Sequence, residues 1–319
     1  MTNVPRHHHF IPQCYLRGFL SANQKKEQLT VIDLKQKKLF ETNIKNIGGK
    51  RDFNTAKIEG KKSSGIETAL SQVEAIIASG LRQIEKDRNL SSEESNAKIF
   101  NLMALLVARN PSSRSNHIKF QKQIFKQFSN IMVSKKDIFE SLQKRSKLNE
   151  CVSYERMKEF IQSDRNKIEV PNECCIPLEF EAFDVILPHL FNRGWILVIS
   201  SDQTGPFVTS NNPVVLTWKY PEKIPPFYRW HPGFGVQDTM VQFPISKHLA
   251  MIGEFGFTDT VCFADKNYVS LINRTTMNFA SPQVYSPDLN FYFKNTEGEI
   301  TLGSDIFNGE VVKDSSKIK

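Results

Sequence analysis

Between residues 66 and 84, apolar side chains recur every three or four positions, at Ile66, Leu70, Val73, Ile77, Leu81 and Ile84. That spacing lines them along one face of a helix. Ser64-x-x-Glu67 supplies a capping-box start, in which hydroxyl and carboxylate satisfy backbone amides the first turn leaves unpaired. A second helix is predicted to open on the same signal, Ser91-x-x-Glu94, and to run through Ile99, Phe100, Leu102, Met103, Leu105, Leu106 and Val107. Its apolar residues point nearly all round the axis, so it is expected to be central. It should end at Arg109-Asn110-Pro111, because the residue before a proline resists the α conformation. Residues 114–168 read as helix again, with Ile118, Phe120, Ile124, Phe125 and Phe128 as the apolar face. Pro171 and the Cys174-Cys175 pair interrupt that pattern, and a soft boundary is placed there.

Extended segments flank these helices. Residues 29–34 and 39–44, rich in β-branched side chains around a polar turn, predict a hairpin. Residues 47–53 read as a basic loop leading out of it. Further on, 195–200 is a short buried strand, and 206–216 reads as strand, polar turn, strand. Residues 218–238 have little periodicity and form a long loop, and 240–245 and 249–252 are strands around a turn. Residues 265–280 predict a helix with Tyr268, Leu271, Ile272 and Met277 inward, followed by strands at 291–293 and 299–302. The fold class is therefore α+β: an N-terminal His motif and β-hairpin, a central helical bundle, and a C-terminal antiparallel β portion with one or two helices. The expected division is 1–170 and 171–319, as two regions or one integrated domain.

Composition narrows the class. At 39% apolar residues with 24 Phe among 319 residues, the chain can bury a core and is not disordered. The net charge of +8 is unevenly divided. Residues 1–170 hold 31 Lys and Arg against 18 Asp and Glu, whereas 171–319 hold 11 against 16. The basic share points to an anionic partner such as nucleic acid. No apolar run reaches the length of a membrane span and no signal-like segment opens the chain, so no membrane partner and a cytoplasmic location are expected. The five Cys form no C-x-x-C pair, which argues against a thiolate zinc site or a disulfide framework.

His8-His9-Phe10-Ile11-Pro12-Gln13-Cys14-Tyr15-Leu16-Arg17-Gly18-Phe19 resembles the opening signature of a bacterial family known only as domain of unknown function 4238. The resemblance continues at Arg51-Asp52-Phe53-Asn54, at Ile66-Glu67 with Glu74, and at Ala108-Arg109-Asn110-Pro111. It extends to Thr209-Ser210-Asn211-Asn212-Pro213 and to the last helix with Asn273 and Ala280, so it covers roughly 6–285. The family's usual Thr-Ser-Asp-x-Pro stretch has Asn211 here in place of Asp. The family name implies no activity.

Chemistry must be argued from residue types. His8 and His9 are the strongest candidates, because imidazole titrates near neutral pH and suits a general base. Consecutive residues of an extended chain point to opposite sides, so one His can face a cleft while the other holds the backbone or a carboxylate. Packing residues beneath the hairpin are the structural alternative. Arg109, at the end of an apolar helix, needs a carboxylate, a phosphate or its own helix carbonyls. Glu67 and Glu74, two helical turns apart, could hold a divalent metal with a His; capping already explains Glu67. Gln13, Asn110, Asn211 and Asn212 are candidate substrate contacts, the last two competing with a turn role. Lys119, Lys122 and Lys126 form a basic face that suits a phosphate backbone or a solvated surface.

The leading expectation is a nucleic-acid hydrolase: His8 or His9 as base, Arg109 stabilising phosphate charge, Glu67 and Glu74 on a metal, and the lysines on the backbone. The alternative is a non-catalytic nucleic-acid-binding or protein-interaction module with a structural His/Arg core. P-loop, zincin and α/β-hydrolase motifs are absent from the sequence.

Overall fold

The computed structural model describes residues 6–21, 26–58, 61–63, 65–145, 152–163, 167–229 and 232–307. A three-residue strand, β1 (His7–His9), leads into a single helical turn, α1 (Gln13–Leu16). The expected hairpin follows as β2 (Gln28–Asp33) and β3 (Lys38–Asn43), antiparallel with Val31 opposite Phe40. β4 (Gly49–Arg51) then returns beside β1, placing a strand inside the expected basic loop. β5 (Ala56–Ile58) and β6 (Lys61–Ser63) form a short ribbon.

Helices come next: α2 (Gly65–Asp87), α3 (Glu93–Ala108), α4 (Pro111–Met132), α5 (Lys136–Arg145), α6 (Tyr154–Gln162) and α7 (Asn172–Phe191). α3 stops where Pro111 requires it, and the same proline opens α4. The chain thus re-enters helix at once, because proline is well suited to a first turn. The expected helical stretch from 114 onward is three separate helices. α7 continues through Cys174 and Cys175, where a break was expected. Ser64 of the first predicted capping box lies outside the described residues.

The remaining elements are β7 (Gly194–Ile199), β8 (Thr209–Ser210), β9 (Val215–Trp218), β10 (Thr239–Ser246), β11 (Leu249–Glu254) and β12 (Thr260–Phe263). They are followed by α8 (Lys266–Asn278), β13 (Gln283–Ser286), β14 (Tyr292–Lys294) and β15 (Ile300–Leu302). A five-stranded sheet has the order β12-β7-β11-β10-β9, and a four-stranded sheet the order β3-β2-β13-β8. Pairing is antiparallel except between β12 and β7. The fold is α+β.

Two compact units result: Met1–Asn110 with Glu179–Lys319, and Pro111–Leu178. The division does not follow the change of charge near residue 170, because β2 pairs with β13 far along the chain. In the larger unit one core joins Tyr15, Leu16 and Phe19 to Leu70, Ile77 and Ile84 of α2, the buried length of α3, and Trp195, Leu197 and Phe243 of the five-stranded sheet. Phe100 of α3 stacks on Trp195 at 5.1 Å, so α3 is as central as its apolar pattern requires. Val73 and Leu271, expected to face inward, are exposed. In the smaller unit Val133 and Phe139 are buried, Phe139 meets Tyr154 ring to ring at 5.8 Å, and the Tyr154 hydroxyl donates to Val133 O at 3.0 Å. Ile124, Phe120, Phe125 and Phe128 of α4 do not join that core; all four are exposed. No helix among the described residues is long and apolar enough to cross a membrane.

Candidate functional site

The opening motif is anchored by one glycine. Gly48 has φ +62°, and a Cβ there would lie 2.8 Å from that of Ile11. Its carbonyl accepts from Phe10 N at 2.8 Å and Ile11 N at 3.0 Å. Phe10, Ile11, Tyr15, Leu16 and Phe19 are all buried, so most of the motif is core rather than site.

The His run obeys strand alternation. His7 and His9 share a side, with rings edge-to-face at 5.1 Å, and His8 points the other way and is 3% exposed. Asn54 N donates to His8 Nδ1 at 2.8 Å. A backbone amide can only donate, so Nδ1 carries a lone pair and the proton of the neutral ring sits on Nε2. His9 is the reverse case: its Nε2 faces Lys45 O at 3.1 Å and must donate. Its neutral ring therefore has its lone pair on Nδ1.

Asn54 is also the link to Arg109. Its Oδ1 accepts from Arg109 Nη2 at 2.8 Å, and the same nitrogen reaches His9 O at 3.5 Å. Arg109 caps the C-terminus of α3 and is 5% exposed. A buried cation there is favoured by the helix dipole and by the polar oxygens around it. The next residue carries the network on: Asn110 Nδ2 donates to Asn212 Oδ1 at 3.0 Å and lies 3.3 Å from Asn211 O. Asn212 Nδ2 in turn donates to Phe279 O at 3.0 Å. Asn211 Oδ1 accepts from Ser281 N at 2.7 Å and Gln283 N at 3.3 Å, and its amide donates to Ser281 O.

The structure thus brings together His8, His9, Arg109, Asn110, Asn211 and Asn212, all in the larger unit. Asn54, which the motif contains but the chemical reading passed over, sits between His8 and Arg109. Gln13 begins α1 and is half-buried. Glu74 lies in α2, where its carbonyl accepts from Cys14 Sγ at 3.8 Å. Burial pushes the Cys14 thiol up to about 11, with the Glu74 charge adding to the effect. The Glu67 side chain lies outside the described residues, and the metal expectation with it. Among the described residues no group of three or more His, Cys, Asp or Glu is placed to hold a metal.

Lys119, Lys122 and Lys126 lie in the smaller unit, on α4. Lys122 and Lys126 line an open cleft of about 360 Å³ with Gln123, Lys167, Ile168 and Glu169.

A second set was not foreseen. Ser200 Oγ lies 3.1 Å from His248 Nδ1, and His248 Nε2 lies 3.3 Å from Asp202 Oδ1. The residue types are those of a hydrolytic triad, but the exposure is inverted. Ser200 is 4% exposed and the Asp202 side chain 99%. A nucleophile must reach substrate and its orienting carboxylate is ordinarily the sheltered member. Burial, together with Lys247, lowers the His248 pKa. The set ties the β10–β11 turn to the end of β7.

A family model described as "Protein of unknown function (DUF4238)" matches residues 7–289. The chain belongs to this family. The match begins at His7 in β1 and ends beyond β13, so it takes in the whole His8–Asn54–Arg109–Asn110–Asn212 network of this DUF4238 protein. No curated protein and no solved structure matches the chain.

Proposed function

We propose that the protein binds nucleic acid through α4, with the network around Asn54 serving as framework rather than as a catalytic centre. One observation supports the reading most. α4 carries the exposed Lys119, Lys122 and Lys126 and no acidic residue over its 22 positions, its Arg114 being buried, and two of its lysines share with Lys167 a cleft that one carboxylate, Glu169, also lines. Lysines grouped this way suit a phosphate backbone, where displaced counterions drive binding. The framework role follows from burial and donor accounting: the one lone pair of neutral His8 is committed to Asn54 N, so His8 is a donor, not a base.

The test is oligonucleotide binding by fluorescence anisotropy at two salt concentrations. Wild type is expected to bind, with affinity falling steeply as salt rises. Replacing Lys119, Lys122 and Lys126 by Gln should weaken binding roughly uniformly across sequences and lower the salt slope by about one unit per lysine lost. A triple variant that binds like wild type overturns the reading.

Hydrolysis is the second reading, favoured by His9 alone. Its neutral-ring lone pair is on Nδ1, and its own carbonyl lies near Arg109. An imidazole beside a guanidinium is the residue pairing that phosphodiester cleavage uses, and Arg109, buried and bonded to Asn54, would have to be uncovered to meet a phosphate. Incubation of DNA and RNA with a panel of divalent metals separates the two readings. Cleavage lost in His9→Ala but kept in His8→Asn supports hydrolysis, and intact nucleic acid under every condition sinks it.

A further inference from the structure

We propose that α4 also pairs with α4 of a second copy of this chain, through a face distinct from its lysines. The helix presents large apolar side chains to solvent: Phe120 is 63% exposed, Ile124 47%, Phe128 56% and Ile131 60%. At 3.6 residues per turn these four positions fall within about 80° of arc, and Lys119, Lys122 and Lys126 fall within about 60° on the far side of the helix. The two features therefore do not compete for one surface.

An apolar patch of a few hundred Å² is about the largest that a monomer exposes, and such patches are often functional. With about 200 Å² for each large side chain, the four exposed fractions leave roughly 400–500 Å² of apolar area per copy. Two copies would cover about 900 Å² from these side chains alone, close to the 1,000 Å² that a specific interface needs. The flanking Gln121, Gln127 and Phe125 supply the remainder at the rim.

Charge selects the occupant. The stripe itself holds Phe and Ile, bordered by Gln, Asn and, one turn before Phe120, His117. An acidic partner or an anionic lipid surface would be drawn to lysines bordering the contact, and here a helix diameter of about 10 Å separates them from it. A self-pair needs no complementary charge. Two-fold symmetry lets the same stripe serve both copies, and both lysine faces are then directed away from the contact. This inference stands on the exposed stripe and survives even if the lysines bind nothing.

The test is the mass of the full chain in solution by light scattering and sedimentation over a concentration series. Wild type is expected to be a dimer at tens of micromolar. Ile124→Glu with Phe128→Glu should give a monomer with unchanged circular dichroism, because both side chains are exposed, and with a melting temperature that no longer rises with protein concentration as a dimer's does. Ile131→Lys, a second variant, should weaken the dimer at least tenfold. A monomeric wild type, or double variants that remain dimeric, overturns the proposal. So does a monomeric wild type that floats with vesicles of phosphatidylcholine and phosphatidylglycerol, which would assign the stripe to a lipid surface.

Discussion

Asn211 does with one amide what an aspartate cannot. Its oxygen accepts from two backbone amides, Ser281 N and Gln283 N, and its nitrogen donates to the Ser281 carbonyl. An ionised carboxylate keeps the first two contacts and sets a negative oxygen against the third. Asn211→Asp is therefore expected to lower stability at pH 7 by about 1 kcal/mol, the worth of a partly exposed hydrogen bond. The loss should shrink below the carboxyl pKa, where the protonated acid can donate again. Urea unfolding of both proteins at pH 7 and pH 3.5 checks this; a difference independent of pH would refute it. The same residue shows what is readable at this scale. His8, His9, Arg109, Asn110 and Asn212 are legible as polar residues in motifs, and they do converge. Asn54 is not legible in this way: its local sequence marks it only as the last residue of Arg51-Asp52-Phe53-Asn54. Its partners, His8 and Arg109, lie 46 and 55 positions away, and no local spacing encodes such distances.

At the scale of elements, ambiguity arises where two neighbouring residues offer the same chemistry. Ser91 and Ser92 both precede α3, and the Glu94 spacing favours Ser91 as cap. The structure uses Ser92, whose hydroxyl accepts from Ser95 N at 3.2 Å, while Ser91 donates to Asn89 Oδ1 and Glu94 pairs with Lys98 at 2.6 Å. Ser92→Ala is expected to cost about 1 kcal/mol, the usual worth of an N-cap, and Ser91→Ala clearly less. Thermal or urea denaturation that ranks them the other way would restore the Ser91 cap. Elements with strong periodicity, α2 and α3 or the β2–β3 hairpin, were legible for the reason that makes them stable: one face is buried. α7 was not, because Pro171, Pro177 and Pro188 mask a helix that tolerates two of them within its bounds. β12 escaped because it is short and largely exposed, with Phe263 81% exposed. α4 is the instructive case. Its apolar spacing predicts a helix correctly, but spacing alone does not say whether the face turns to the core or to a partner.

Across the whole molecule, the two ends of the chain stabilise each other through a few specific contacts. Tyr15, fully buried, donates its hydroxyl proton to Pro244 O at 2.7 Å, receives one from Thr209 Oγ1 at 2.7 Å, and stacks on Phe243 at 5.2 Å. Lys247 N donates to Gly18 O at 3.0 Å. β2 lies between β3 and β13, and β13 between β2 and β8. Cutting the chain at the change of charge, between residues 170 and 171, separates β2 from β13 and breaks the Tyr15 and Gly18 contacts, and leaves that sheet only its β2–β3 and β13–β8 pairs. It would expose Tyr15, Phe19, Leu29 and Val31 on one side and Phe243 and Tyr285 on the other. At about 2 kcal/mol for each large apolar side chain returned to water, the loss is of the order of a domain's whole net stability, about 5–15 kcal/mol. Expressed alone, 1–170 and 171–319 are each expected to lack near-ultraviolet circular dichroism and cooperative unfolding, whereas the full chain shows both. A 171–319 fragment that melts cooperatively by itself would show that the β portion does not need the opening motif. In that case the buried residues of His8–Phe19 would have to be explained by function rather than by packing.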